Sequence, residues 1–375
     1  MAKPRRGESL TITVDDLAFG GEGVGRVNGY VVFVRGGLPG DRLRVRLVDA
    51  RARYGRAVIE AVEEASADRV EAPCVYFGRC GGCRLQHLAY PAQLAFKEKQ
   101  VRDCLQRLGG AGDFELRPIV PAPAPFGYRN KMEFTVAGTA EAPIVGLHQA
   151  ERYDVVLDIE RCLLQSESMN ALLDEMRAQS RARGLSVYRQ DADESRDPGL
   201  LRFVTLREGR RTGEAMVNIV ATAPDVERLA PVAEALKARV PSTASVVLNV
   251  NARKASVAVG SEEHLLLGRD SITESLEDVT FHVSANSFFQ TNTMQAERLF
   301  ALVGAACELT GAETLIDLYS GTGAISRLLA RRCRRAYGIE VAAAAVADAV
   351  RNARANGIDN CTFLTGEVRH VLPEL

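Results

Sequence analysis

Alternation of strand-like and helix-like segments in the last quarter of the chain constrains the fold more than any other feature. The segments follow one another as helix 292–309, strand 314–319, helix 323–332, strand 336–341, helix 342–356 and strand 361–365. Consecutive strands separated by helices run in the same direction, so this order predicts a parallel sheet in an α/β domain. The middle of the chain has helical stretches at about 167–184 and 224–239 among strands, which predicts an α+β domain.

A glycine turn, SGTG at 320–323, follows the first strand of this predicted sheet. Such a turn lets a ligand approach backbone amides at a helix N-terminus. The sixth position of GTGAIS is Ser326 rather than glycine, which argues against a pyrophosphate fingerprint. Asp317 lies late in its strand, where it can face a cationic ligand, and Glu340 ends the next strand, where it can bind ribose hydroxyls. This arrangement suits S-adenosylmethionine, and the alternative is a structural turn with incidental acids.

An aromatic and amide-rich stretch, FHVSANSFFQTN at 281–292, precedes the predicted sheet. The amide of Gln290 could hydrogen-bond a methionine moiety or a base edge. The alternative is an aromatic plug between the middle of the chain and the sheet.

Residues 1–60 are predicted to form a small, OB-like β-barrel. A glycine-rich turn at Gly20, Gly21, Gly23 and Gly25 follows the first strand, and an Asn-Gly turn lies at 28–29. The run RLRVRL at 42–47 alternates strictly, so its leucines and valine should seal the barrel while Arg42, Arg44 and Arg46 face outward. Eleven Lys and Arg against seven Asp and Glu give this module a net charge of +4. Phosphate backbone is the expected partner, and the alternative is a solvated edge face.

Three cysteines within ten residues form a C-x5-C-x2-C pattern: Cys74, Cys80 and Cys83. Two glycines between the last two let the backbone fold tightly enough for both thiolates to reach one metal. With His87 as fourth ligand the site would hold zinc, and with Cys162 it would hold zinc or a [4Fe–4S] cluster. The alternative is buried thiols without a ligand role. The remaining cysteines occur singly and are predicted to be small core residues: Cys104, Cys307, Cys333 and Cys361.

Composition sets broad limits on the class of protein. The 375 residues are 46% hydrophobic and 25% charged, which excludes disordered and collagen-like chains. The net charge is −1, so the protein is not basic as a whole, and any basic surface for nucleic acid must be local. No window approaches 18 consecutive apolar residues, so no membrane partner is expected. The basic start lacks an apolar signal-peptide core, which predicts a reducing, cytoplasmic location.

Together these segments resemble the TrmA/RumA-type RNA 5-methyluridine (uracil-5-) methyltransferases over nearly the whole chain. The opening stretch GEGVGRVNGYVVFVRGGLPGDRLRVRL is similar to a TRAM domain, an RNA-binding β-barrel, and CVYFGRCGGCRLQHL to the family's cysteine-rich segment. YRNKMEF is similar to a motif at the start of the family's central domain. SFFQTN and LIDLYSGTGAISRLLA with YGIE are similar to the family's adenosylmethionine-binding stretches. The implied domains are a TRAM barrel (1–61), a central α+β domain with the cluster site (62–280) and a Rossmann-like methyltransferase domain (281–375).

The resemblance implies an S-adenosyl-L-methionine-dependent methylation of uracil C5 in RNA. Ribosomal RNA, 23S in particular, is the first expected substrate and tRNA the second. The cofactor residues it implies, together with those of the glycine turn, are Gln290, Asp317, Tyr319, Gly321, Gly323 and Glu340. The family's [4Fe–4S] site would use Cys74, Cys80, Cys83 and Cys162, with a structural role.

The sequence departs from the family where the chemistry is expected. The family's nucleophilic cysteine and general base follow the third sheet strand, after an Asp-Pro-Pro-Arg loop that this sequence does not contain. No remaining cysteine is a credible substitute, so no catalytic residue is predicted. We expect an incomplete sheet with Leu315, Ile316 and Leu318 on an uncovered edge, hence a C-terminally truncated gene fragment or self-association through that edge. The competing classes are a non-catalytic RNA-binding iron–sulfur protein and, disfavoured by GTGAIS, a redox enzyme.

Overall fold

The structure, a computed structural model, describes residues 3–190, 198–255 and 257–375. Contacts divide the chain into two units. The first contains Met1–Pro121 with His148–Val155, and the second contains Ala122–Leu147 with Val156–Leu375. No described helix is long and apolar enough to cross a membrane.

A closed five-stranded barrel opens the first unit, with the strand order β1-β2-β3-β5-β4. The strands are β1 (Ser9–Leu17), β2 (Glu22–Val27), β3 (Tyr30–Arg35), β4 (Arg42–Ala50) and β5 (Tyr54–Glu64). Leu43, Val45 and Leu47 are fully buried inside it, while the arginines between them are exposed. The predicted faces of this strand are therefore confirmed, because a period of two separates core from solvent on a barrel wall.

The predicted glycine turn was partly wrong. Gly20 and Gly21 form the turn, but Gly23 and Gly25 lie within β2. A Cβ at Gly23 would lie 2.6 Å from the Gly37 carbonyl oxygen, and one at Gly25 would lie 2.6 Å from the carbonyl oxygen of Thr13. These two glycines therefore permit close approach of neighbouring backbones in a strongly curved strand.

The helix α1 (Tyr90–Asp103) follows the cysteine-rich segment and ends in a π-helical turn, Cys104–Leu108. Its first turn packs under the barrel in a cluster formed by Leu17, Leu38, Leu88 and Ala92. Below the barrel the carboxylate of Asp41 is fully buried; it pairs with Arg69 and accepts hydrogen bonds from the backbone N–H of Leu38 (2.7 Å) and Ser66 (2.8 Å). The apolar cluster and the hydrogen bonds of Asp41 together join the barrel to the segment that follows it.

A seven-stranded sheet with the order β12-β11-β10-β9-β6-β7-β8 dominates the middle of the chain. Its elements are β6 (Lys131–Gly138), β7 (Pro143–Gln149), β8 (Arg152–Asp158), α2 (Glu167–Ala182), β9 (Leu201–Glu208), β10 (Ala215–Ala221), α3 (Val226–Arg239), β11 (Thr243–Val250) and β12 (Glu262–Gly268). Ser166 and Asp225 cap the two helices, which begin close to their predicted positions. β9 and β10 are buried along their whole length, as expected for central strands.

From residue 293 to residue 365 the C-terminal elements follow the predicted alternation, with a hairpin before it and a short helix after it. They are the hairpin β13 (Ser271–Leu276) and β14 (Val279–Ser284), then α4 (Thr293–Ala306), β15 (Thr314–Leu318), α5 (Ala324–Ala330), β16 (Arg335–Glu340), α6 (Ala343–Ala355), β17 (Cys361–Thr365) and α7 (Val368–Val371). β15, β16 and β17 pair in parallel in that order, which confirms the predicted parallel sheet. β15 is an edge strand, and Ile316 and Leu318 on it are each 42% exposed.

Candidate functional site

The turn between β15 and α5 has an unusual backbone. Tyr319 has a φ of +62°, a region that non-glycine residues enter at a cost, and its side chain is 77% exposed. Gly321 and Gly323 follow with φ values of +56° and +75°. Glycine enters this left-handed region without a steric penalty, so the two glycines make the turn possible. Strain of this kind is concentrated at functional sites.

Glu340, at the end of β16, holds this turn by its carboxylate. Oε2 accepts a hydrogen bond from the Gly321 N–H at 3.0 Å, and Oε1 accepts one from the Ala342 N–H at 2.9 Å. A carboxylate offers about four acceptor positions, so about two remain for other donors. The structure thus joins the glycine turn to the acid on the next strand.

Asp317 is turned toward the helix that follows it. Its Oδ2 accepts hydrogen bonds from the backbone N–H of Ser326 at 3.1 Å and from the Ser326 hydroxyl at 2.6 Å. Burial raises the pKa of Asp317, and these two hydrogen bonds partly offset that rise. This carboxylate, expected to face a cationic ligand, holds the first turns of α5 in place.

Phe363, on β17, supports the turn from below. A Cβ at Gly323 would lie 2.4 Å from Cε1 of this ring, and a Cβ at Gly338 would lie 2.6 Å from its Cδ1. The hydroxyl oxygen of Ser320 is buried and has no hydrogen-bond partner among the described residues. The turn therefore packs against the Phe363 ring at a distance that only glycine allows. It also contains one buried polar atom without a partner among the described residues, the Ser320 hydroxyl oxygen.

Gln290 lies just before α4 with its side chain exposed. Its backbone carbonyl accepts a hydrogen bond from the side-chain amide of Asn130 at 2.8 Å. Phe289, the preceding residue, is buried in the same cluster as Phe281, against which Ala324 and Ile325 of α5 pack. The two phenylalanines therefore form an apolar plug, and the ligand role of the exposed Gln290 stays a prediction.

Asn130 is a positioning residue that the sequence reasoning missed. Besides Gln290, its side chain donates to the hydroxyl of Thr293 at 2.9 Å, and that hydroxyl donates to Glu274 at 2.8 Å. Asn130 is 5% exposed and Glu274 is 2% exposed, so this network is buried. The only signal was the YRNKMEF motif, whose individual residues have no evident role in the sequence alone.

The cysteine-rich segment brings three thiols near one another. The pKa of Cys80 is raised, first by burial and then by the neighbouring thiols of Cys83 and Cys74. The Gly82 N–H, whose nitrogen lies 3.4 Å from the Cys80 sulfur, partly offsets this rise. Across the described ranges 3–190, 198–255 and 257–375, no three His, Cys, Asp or Glu side chains form a group that could hold a metal ion. The first three predicted ligands are thus neighbours without a preformed metal geometry.

The two candidates for a fourth ligand differ in their surroundings. His87 is 6% exposed; its Nε2 lies 3.1 Å from the Gly36 carbonyl oxygen, and its ring packs against Phe77. The contact with Gly36 occupies Nε2, so Nδ1 is the ring nitrogen of His87 that could bind a metal. Cys162 is buried in the second unit, where its backbone N–H and carbonyl are both held by the side chain of Asn170.

The remaining cysteines were expected to be core residues, and this was wrong for Cys104. It is exposed, and it begins the π-helical turn, none of whose residues is buried. Cys333 is buried, and Cys307 and Cys361 are half-buried. Burial raises the pKa of Cys361 to about 12 and also raises that of Cys333, so both are protonated thiols at neutral pH.

The outward arginines of β4 face glutamates of β5. Arg42 pairs with Glu63 at 3.3 Å, and both Arg44 and Arg46 pair with Glu60, at 4.0 and 3.2 Å. Exposed pairs of this kind add little stability, but they offset the positive charge that was expected to attract phosphate. The net charge of the barrel therefore does not concentrate on this strand.

Comparison with known proteins identifies the class and then the family. Residues 3–59 match the TRAM domain model, and residues 216–367 match the model described as tRNA (Uracil-5-)-methyltransferase. An uncharacterized RNA methyltransferase of Halalkalibacterium halodurans is 36% identical over 372 residues, which span 99% of this chain and 80% of the relative. Another, of Chlorobaculum tepidum, is 38% identical over 384 residues, 98% of this chain and 79% of the relative. The class is thus that of RNA methyltransferases with a TRAM barrel.

A solved structure shares the fold. The Pyrococcus abyssi tRNA (uracil-54, C5)-methyltransferase, in complex with S-adenosyl-L-homocysteine, is 30% identical, with a TM-score of 0.72 over 96% of this chain and 79% of that chain. The chain belongs to the RNA (uracil-5-)-methyltransferase family, whose methyl donor is S-adenosylmethionine. The predicted recognition, the barrel and the methyltransferase fold are confirmed.

Proposed function

We propose that the protein methylates C5 of uracil in RNA and that S-adenosyl-L-methionine binds at the glycine turn after β15. The observation that carries this proposal is the joining of Gly321 to Glu340, at 3.0 Å, beside the strained Tyr319. The proposal retains the division of the chain into a TRAM barrel (1–61), a central domain (62–280) and a methyltransferase domain (281–375).

The residues around the turn fit the chemistry of this cofactor. Glu340 keeps free acceptor positions for the two ribose hydroxyls, which are hydrogen-bond donors. The exposed amide of Gln290 can bind the methionine moiety, and the exposed ring of Tyr319 can cover the adenosine. The unsatisfied Ser320 hydroxyl offers a further polar contact.

Three of the predicted cofactor residues, Gly321, Gly323 and Asp317, determine the shape of the site. Gly321 and Gly323 allow the backbone to approach the ligand, and a Cβ at Gly321 would meet nothing within 4 Å, which leaves that side of the turn open. Asp317 holds α5 through Ser326 and so orients the N–H groups at its start.

The cofactor supplies an electrophilic methyl group on a sulfonium centre. C5 of uracil is a poor nucleophile, so a thiolate must first add to C6, and a base must later remove the C5 proton before the thiolate leaves. Cys333 and Cys361 do not suit this step because Cys333 lies just before β16 and Cys361 begins β17, whereas ligands of a parallel sheet bind at the carboxyl ends of its strands. Our proposal therefore assigns neither nucleophile nor base to a residue of this sequence.

The proposed substrate is ribosomal RNA, 23S in particular, because the resemblance is to TRAM-bearing members that act on it. Transfer RNA is the second candidate, favoured by the similarity to the P. abyssi tRNA (uracil-54, C5)-methyltransferase. Methyl transfer from labelled S-adenosylmethionine to unmodified transcripts of 23S rRNA fragments and of tRNA distinguishes the two.

We further propose that Cys74, Cys80, Cys83 and Cys162 hold a [4Fe–4S] cluster with a structural role. The mutual proximity of the first three thiols and the Gly82 N–H beside the Cys80 sulfur support a thiolate site. The support for Cys162 is the sequence resemblance. Iron and sulfide analysis of anaerobically purified protein should give about four of each per chain, and zinc without sulfide would refute the cluster.

The central test is anaerobic calorimetry with S-adenosylmethionine and S-adenosylhomocysteine. Glu340→Gln should weaken binding by about tenfold or more, since a hydrogen bond to a charged group is worth about 1.5–3 kcal/mol. Glu313→Gln is the control, since Glu313 precedes the same sheet and its carboxylate accepts hydrogen bonds from Thr310 and Gly311 of its own loop. Absence of heat with folded wild-type protein would refute the proposal. Binding of cofactor and RNA without methyl transfer would favour a non-catalytic RNA-binding protein.

A further inference from the structure

A cavity of about 210 Å³ lies within the first unit, between the β1–β2 turn, the end of the cysteine-rich segment and α1. Residues from all three contribute to its walls, among them Phe19, Arg84, Leu85, Gln93, Phe96 and Lys97. Cavities for drug-sized ligands measure about 300–1,000 Å³, so this one suits a group of the size of a single nucleobase.

One residue that lines this cavity carries an exposed aromatic ring. Phe19 is 89% exposed, on the turn that Gly20 and Gly21 form with φ values of +101° and +90°. The turn is held in place, because Arg84 donates a hydrogen bond to the Gly20 carbonyl at 2.9 Å and a Cβ at Gly21 would lie 3.2 Å from Leu85. The ring is thus presented to solvent by a fixed backbone.

Two glutamines of α1 that line the cavity hold its walls together. The side-chain amide of Gln93 donates to the carbonyl oxygens of Leu85 and Leu88, and that of Gln100 donates to those of Leu17 and Ala18. These bonds join α1 to the two other segments of the wall. The cavity is therefore shaped before any ligand arrives, which lowers the entropic cost of binding.

The charge at this cavity is positive and uncompensated. Arg84 and Lys97 are both exposed, neither forms an ion pair within the described part of the chain, and no residue lining the cavity is acidic. The arginines of β4, by contrast, face glutamates. An exposed ring that lines the same cavity as two cations without ion-pair partners among the described residues matches a base with its flanking phosphates.

We propose that this cavity binds one unpaired nucleotide of the RNA, with its base stacked on Phe19 and its flanking phosphates at Arg84 and Lys97. This inference rests on the proposed function and deepens it, since it assigns an RNA contact to residues of the first unit. The site recognises a single-stranded segment and does not read sequence, because stacking accepts every base.

The sequence contains no tryptophan, so Phe19→Trp introduces a single fluorescent reporter at the cavity. The full-length protein is titrated with an oligouridylate of about 16 nucleotides. Stacking should quench this fluorescence. Tyr153→Trp is the control, since Tyr153 is also 89% exposed and lies outside the cavity; its fluorescence should change little.

Binding measured by anisotropy of labelled RNA supplies the magnitude. Phe19→Ala should raise the Kd about 5- to 150-fold, the equivalent of losing about 1–3 kcal/mol of stacking. Lys97→Ala should reduce the slope of log K against log salt by about 0.7. Because Phe19 and Lys97 are exposed, both variants should fold as the wild type does.

The outcomes separate this inference from the proposed function. If the wild type binds RNA but Phe19→Trp is not quenched and Phe19→Ala binds normally, the cavity inference is overturned and the methyltransferase proposal stands. Equal quenching by polyglutamate of the same length would assign the cavity to acidic peptides and overturn it too. Normal quenching without calorimetric heat from S-adenosylmethionine would refute the proposed function alone.

Discussion

Replacing Gly323 with alanine tests whether the turn after β15 needs glycine for two separate reasons. The residue has a φ of +75°, and an added Cβ would lie 2.4 and 2.5 Å from two carbons of the Phe363 ring. Gly357, after α6, has a φ of +62° and open space where its Cβ would lie. Gly357→Ala therefore imposes the backbone cost alone, and Gly323→Ala imposes the backbone cost together with the overlap.

The magnitudes follow from these geometries. A non-glycine residue in the left-handed region costs about 1–2 kcal/mol, which is the whole effect expected for Gly357→Ala. Overpacking against a ring adds about 1–3 kcal/mol, so Gly323→Ala should lower the free energy of unfolding by about 2–5 kcal/mol. In a Phe363→Leu background the overlap is relieved, and the cost of Gly323→Ala should approach that of Gly357→Ala.

Urea unfolding followed by circular dichroism measures the stability, and anaerobic calorimetry measures the affinity for S-adenosylmethionine. Gly323 begins α5 as its N-cap, so a shift of the turn displaces the N–H groups at the helix start. Gly323→Ala should therefore weaken cofactor binding at temperatures where the protein is still folded, whereas Gly357→Ala should leave the affinity unchanged.

Two results would refute this reasoning. Equal destabilisation by Gly323→Ala and Gly357→Ala would show that Phe363 moves aside without cost. Unchanged cofactor affinity in folded Gly323→Ala protein would show that the backbone of this turn does not contribute to the binding site.

Three further predictions follow from buried polar groups. Asp41→Ala should destabilise the barrel by about 3–5 kcal/mol, because Arg69 and the backbone N–H groups of Leu38 and Ser66 would all lose their buried acceptor; thermal melts of the variant check this. Burial raises the pKa of Asp41, but the bonds from Arg69, Ser66 and Leu38 outweigh burial and hold it below its ordinary value. The stability that Asp41 contributes is thus complete above about pH 4 and is lost as the pH falls through its folded-state pKa. Acid titration of the wild type should therefore show a loss of stability at this pKa, and Asp41→Asn should not show it. Asn130→Ala should weaken S-adenosylmethionine binding several-fold by releasing the backbone at Gln290. Asn360→Ala, whose side-chain amide donates to the carbonyl oxygens of Ala330 and Cys333, should not; calorimetry distinguishes them.

Local patterns were sufficient wherever a single element decides the outcome. The alternation from 292 to 365 predicted every helix and strand of the C-terminal sheet, because a buried face imposes its own period on the sequence. The strict alternation of β4 predicted its buried face for the same reason. The prediction wrongly placed Gly23 and Gly25 in a turn. A side chain at either position would overlap the backbone of Gly37 or Thr13, and these contacts with other segments cannot be read from the local sequence.

The candidate site was predicted as a set of residues but not as an arrangement. The positions of Glu340 and the glycines follow from the strand ends, where a parallel sheet binds its ligands. Their hydrogen bond, and the turning of Asp317 toward Ser326, depend on side-chain geometry that no spacing encodes. The catalytic nucleophile stays a prediction about the family, with no residue of this sequence assigned to it.

The sequence by itself determined the β-barrel, the parallel sheet and the family, since periodicity and motifs are properties of neighbouring residues. Only the tertiary structure decided which polar groups meet: Asn130 holds Gln290 across 160 residues, and glutamates of β5 offset the arginines of β4. It also decided that Phe19, Arg84 and Lys97 surround one cavity. The physical reason is that such contacts depend on the packing of distant segments, whereas the preference for helix or strand is set by residues a few positions apart.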